Sequence, residues 1–142
     1  MTSTTMRGHC NCKRINITIA DKPPSELNTA VCHCRNCHRQ GGSIIMLLAT
    51  DDVVIEGEIK AYVDHDTDSG QPVTRYFCDN CGTPVISTTP VYEGKRIVKM
   101  NLFDDFPAPQ VEIFTRSRRS YPAPIEGALV TFPGNAEAPA QS

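Results

Sequence analysis

The sequence predicts an all-β domain, on three observations. Apolar residues recur with period two in short runs, the signature of half-buried strands. Turn-forming residues separate those runs at close intervals. Only one stretch, RNCHRQ at 35–40, reads as helix. The chain of 142 residues suits one domain with one core. With no Trp and 6% aromatic residues, aliphatic side chains must build that core.

In order along the chain, residues 1–6 form an expected flexible leader, and the domain proper spans 7–132. RINITIA (Arg14 to Ala20) alternates, with Ile15, Ile17 and Ile19 on one side and Asn16 and Thr18 on the other. DKPPSEL is a loop, because paired prolines stop strand and helix alike. SIIMLLAT is short and continuously apolar, as in a buried strand. DVVIEGEIKAYVDH is two strands broken near Gly57, and DTDSGQP is a turn. VTRYF is a strand running into the cysteine pair of CDNCGTP. PVISTT, RIVKMNLF and QVEIFTRS are further strands, with YEGK as a hairpin turn. Residues 133–142, PGNAEAPAQS, form an expected flexible tail.

A formal charge of −2 gives no electrostatic case for nucleic acid or an anionic membrane as the main partner. The basic TRSRRS (Thr115 to Ser120) reads as a loop. The longest strongly apolar run, IIMLLA, is too short to span a bilayer. MTSTTMRGHC has no apolar signal region, so a cytoplasmic protein is expected. Thiols stay reduced there, and seven cysteines are an odd number for a disulfide framework. They read as metal ligands.

The cysteines fall into C-x-C (Cys10, Cys12), C-x-C-x-x-C (Cys32, Cys34, Cys37) and C-x-x-C-G (Cys78, Cys81, Gly82). If HCNCK is extended, Cys10 and Cys12 point the same way. A C-x-x-C turn also converges two sulfurs, and Gly82 permits the positive φ such a turn uses. Cys10, Cys12, Cys78 and Cys81 therefore supply a complete four-thiolate zinc site of structural type. The competing reading is a set of buried free thiols.

Cys32, Cys34 and Cys37 are left to share a second ion, with one coordination position open. Alternatively His38 or His33 closes it; on a strand, His33 would point away from Cys32 and Cys34. Zn²⁺ with three thiolates carries a formal −1, which disfavours making hydroxide and favours a soft sulfur ligand. A thiol substrate follows. Arg35 and Arg39 flank the cluster and can bind its carboxylates, and Lys13 and Arg14 flank the first pair. His9 and His65 read as surface residues.

GHCNC (Gly8 to Cys12), CHCRNCHRQGGS (Cys32 to Ser43), FCDNCGTPV (Phe77 to Val85) and EIFTRSRRSY (Glu112 to Tyr121) together resemble the glutathione-dependent formaldehyde-activating enzyme family, whose wider group includes centromere protein V. The resemblance implies a β-tent, a small zinc-binding fold of short antiparallel sheets. It implies two zinc ions per chain, one structural on Cys10, Cys12, Cys78 and Cys81, the other catalytic on Cys32, Cys34 and Cys37. It further implies a carbon–sulfur lyase that joins glutathione to formaldehyde as S-hydroxymethylglutathione. On this reading Cys34, His38 and Arg39 are catalytic, with His38 moving the proton, and Arg35 binds the thiol substrate. The sequence departs from the family at His38-Arg39, where Arg-Lys is usual, and at Tyr121, where Trp is usual. A specialised enzyme acting on another small molecule, a zinc-stabilised binding module without catalysis, and a redox sensor on the three central cysteines are the alternatives. The sequence leaves the oligomeric state open.

Overall fold

A computed structural model describes residues 4–120 and 127–136; Tyr121 lies outside them, as do residues 1–3 and 137–142 of the two termini. The strands are β1 (Thr4–His9), β2 (Asn16–Lys22), β3 (Thr29–Cys32), β4 (Ile44–Ala49), β5 (Val53–Glu56), β6 (Ile59–Asp64), β7 (Val73–Cys78), β8 (Pro84–Thr88), β9 (Lys95–Lys99), β10 (Val111–Ile113) and β11 (Val130–Thr131). The helix α1 (Arg35–Gln40) is the RNCHRQ segment. Among the described residues no helix is long and apolar enough to cross a membrane.

Two sheets form. The smaller has the order β1-β2-β5, the larger β11-β10-β3-β4-β9-β8-β7-β6. The all-β class holds. Most pairings are antiparallel, but β10 runs parallel to both β3 and β11, so the larger sheet is mixed. The chain leaves β9 through a turn at Met100–Leu102 and a long loop rather than a hairpin, which frees β10 to lie along β3 in the same direction. Strand β1 takes in residues 4–6, assigned from sequence to the leader, because Met6 is buried in the core. At the other end, the Pro133 and Gly134 carbonyls accept hydrogen bonds from Arg116 and Phe114.

Period-two alternation gives the larger sheet two distinct faces. On one, Met46, Leu48, Ile86 and Val98 share a core with Ile17, Ile19 and Val53 of the smaller sheet. The other face is read from the pairing register. One cross-strand row runs Val111, Ala30, Ile45, Lys99. A second runs Leu47, Ile97, Ser87, Arg75. All eight of these residues line a single cleft of about 800 Å³. Strand β4 is therefore not buried on both sides: Leu47 points into the cleft and is 41% exposed.

Candidate metal centre and cleft

The first cysteine cluster joins the ends of two strands. β1 hands over to a turn, not to the extended HCNCK segment expected from sequence. The Lys13 amide donates to the Cys10 carbonyl at 3.0 Å, and Lys13 takes a left-handed φ of 69°. The turn converges Cys10 and Cys12 where alternation alone was expected to, with their sulfurs 3.6 Å apart. From β7 the chain turns through Cys78 to Cys81. Gly82, at φ 77°, donates its amide to the Cys78 carbonyl at 3.0 Å. Backbone amides aim at the sulfurs, Ile15 at Cys10 (3.2 Å) and Asn80 at Cys78 (3.4 Å). The Thr83 hydroxyl bonds Cys81 at 3.1 Å and helps lower that thiol to about 5. All four sulfurs lie within 4.8 Å of one another, and Cys10 and Cys78 are buried. A soft, compact donor set of four sulfurs fits a zinc ion.

The second cluster is built by one strand end and one short helix. Cys32 closes β3, its amide bonded to the Ser43 carbonyl at 2.7 Å. Cys34 caps α1, its sulfur accepting from the Cys37 amide at 3.2 Å. Cys37 lies in the first turn of α1 and is buried. Gly41, at φ 81°, ends the helix. The three sulfurs lie within 4.8 Å of one another, and among the described residues no imidazole or carboxylate joins them. His33 is held elsewhere, its Nε2 2.8 Å from Glu112 Oε1, a carboxylate oxygen that also takes Arg118 at 3.2 Å. His38 is exposed and absent from the cleft lining; Arg35 and Arg39 are exposed and line the cleft.

The sulfur trio sits on the border between two kinds of wall. Cys32 and Cys37 share an apolar cluster with Ile45, Ile113 and Phe114. On the other side are two buried cations that the sequence did not single out. Arg75 Nη1 lies 3.9 Å from Cys37, while its Nε donates to Asp64 at 3.0 Å. Asn36, from α1, donates to the same carboxylate at 2.8 Å and ties the helix to the β6–β7 hairpin. Burial pushes the Asp64 carboxyl up, but the bonds from Asn36 and Arg75 outweigh it and hold it below its ordinary value. Lys99 is 2% exposed and donates to the Gly42 carbonyl at 3.1 Å. Its stem lies across Gly42, where a Cβ would come within 2.9 Å of it. Ser87, between Arg75 and Ile97 on the same face, has a buried hydroxyl without a partner among the described residues.

Bonds from Cys32 and Cys34, with the positive charges of Lys99 and Arg75, hold Cys37 far below its ordinary value as a thiolate. The bonds with Cys34 and Cys37, together with burial and the neighbouring sulfur charges, push Cys32 up. A soft divalent cation would replace the thiol protons, and the three-sulfur set fits one. The sequence carried a weak signal for the cations: Lys99 has the strand parity of Ile97, and Arg75 follows Val73 by two in VTRYF. Only the sheet register shows both facing the same cleft.

Comparison with known proteins agrees with the cysteine pattern. The model of the family described as glutathione-dependent formaldehyde-activating enzyme matches residues 5–117. No curated protein matches the chain. Among solved structures, a Rhodobacter sphaeroides protein from a structural genomics programme is similar in fold, with a TM-score of 0.56 at 18% identity, covering 72% of this chain and 91% of that one.

Proposed function

We propose, from the premise that the chain belongs to the glutathione-dependent formaldehyde-activating enzyme family, that it is a zinc-dependent carbon–sulfur lyase working in the cleft beside Cys32, Cys34 and Cys37. Its thiol substrate would be glutathione or a close relative. The observation that carries the reading is the three-sulfur cluster, with no fourth side-chain ligand among the described residues and two buried cations beside it. A purely structural site has no use for a missing ligand or for a cleft at its edge. Zinc held there would supply a soft electrophilic position that favours the thiolate form of a substrate thiol.

The chain's own residues do the rest. Lys99 offsets the formal −1 of a zinc ion with three thiolates; Arg75, already paired with Asp64, screens it further. Arg35 and Arg39 sit at the cleft rim, in no ion pair among the described residues, where they can take the carboxylates of a peptide thiol. The walls hold thiol and aldehyde together, and proximity is the main rate term for an addition that is already easy. Cys10, Cys12, Cys78 and Cys81 hold the other zinc and act on the fold alone.

The test measures zinc content and thiol response together. Wild type is expected to bind about two zinc ions per chain, and a cobalt-substituted second site to change its visible spectrum when glutathione is added. A binding module would hold two closed sites whose spectra ignore glutathione, and that result would overturn the proposal.

A further inference from the structure

The cleft has more aliphatic lining than formaldehyde and glutathione call for. Its rows are graded across the sheet. Val111, Ala30 and Ile45 lead to Lys99, and Leu47 and Ile97 lead to Ser87 and Arg75. In these rows Ser87, Arg75 and Lys99 make one end polar and cationic, while the residues of β10, β3 and β4, with Ile97 of β9, make the other aliphatic. Several of the aliphatic residues pack on the Ile45–Ile113–Phe114 cluster without being fully buried by it. Ala30, Ile97 and Val111 are half-buried and Leu47 is 41% exposed, all within the cleft. Val91, at the same opening, is 40% exposed. Uncovered apolar surface beside a reactive centre is costly unless a ligand covers it.

Glutathione has two carboxylates and two amides, and its chemistry suits the cationic side and the Arg35 and Arg39 rim. Formaldehyde has one carbon and needs no wall. The aliphatic half is matched by neither. We infer that the second reactant is an aldehyde with an apolar body of several carbons, which lies along Ala30, Ile45, Leu47, Ile97, Val111 and Ile113 while its carbonyl meets the thiol at the border beside the cysteine trio. This inference rests on the proposed thiol–aldehyde reading and names its electrophile. In the reaction the sulfur lone pair forms the carbon–sulfur bond and the carbonyl π pair moves to oxygen. That oxygen takes up from water the proton the thiol released, so no oxidant or reductant is needed.

Two stable thioethers test it on the zinc-loaded protein without reliance on turnover. S-methylglutathione and S-hexylglutathione differ only in the length of the apolar arm. Calorimetry is expected to show S-hexylglutathione binding at least about tenfold tighter. Leu47→Lys, at an exposed position, and Val111→Thr, of nearly the same shape, are each expected to cut that ratio by about threefold or more. Equal binding of the two thioethers by wild type, or an unchanged ratio in both variants, would overturn the apolar electrophile and leave the thiol site standing. If neither thioether nor glutathione binds, the proposed function fails with it.

Discussion

The two cysteine clusters have the same chemistry and opposite surroundings. The quartet is drawn from the turn after β1 and from the β7–β8 connection, far apart in sequence. Its sulfurs are fed by backbone amides, and its neighbours belong to the main core. The trio comes from a single short segment, opens on a cleft, and depends on side-chain cations for its charge balance. A cluster that closes a long loop serves the fold, because the unfolded chain loses most by it. A cluster that closes a short loop stabilises little, so its ligands are free to serve a substrate.

That contrast can be broken at several points. Cys78→Ser should have the largest effect: structural zinc sites bind with roughly 10 kcal/mol or more, which exceeds the margin of a domain this size. The variant is expected to show no cooperative thermal transition by circular dichroism. Arg75→Met should come next, because it leaves Asp64 buried with only Asn36 and a backbone amide. A loss of about 3 kcal/mol in urea unfolding is expected. An intact fold with unchanged urea midpoint would mean that the Asp64 carboxylate does not depend on Arg75.

Acid gives a smaller, directional effect. The folded Asp64 carboxyl ionises below its unfolded value of about 3.9. Its stabilisation is therefore complete above that value and is lost as pH falls through the folded one. Asp64→Asn should flatten the stability profile below about pH 4 and leave the slope near neutrality unchanged. Cys34→Ser should be the mildest for stability, since serine is a good helix cap and can accept the Cys37 amide as sulfur does. A change within about 1 kcal/mol is expected, with one zinc fewer by mass spectrometry. If it melts like Cys78→Ser, the division between the clusters is wrong.

The sequence showed unequal parts of this. The alternating isoleucines of β2 and the RNCHRQ helix were readable because their signals are local: a two-residue period in one, and in the other a helical hint just after Cys34. Both cysteine clusters were readable for the same reason. The turn at Cys10–Lys13 was not, since a non-glycine residue at positive φ has no reliable sequence mark. The parallel placement of β10 was hidden too, because nothing local tells a strand which distant neighbour it will join. His38, singled out by its place beside Cys37, is exposed and absent from the cleft lining, which adjacency in sequence could not tell.

By itself, then, the sequence determined the all-β class and the cysteine motifs that make up groups of four and three, since these follow from period and spacing within a few residues. Only the tertiary structure decided that Lys99 and Arg75 face the trio, that one face of the larger sheet is a graded cleft, and that neither histidine closes the second cluster. Those relations join residues dozens of positions apart, and they are set by strand register, which no local pattern specifies.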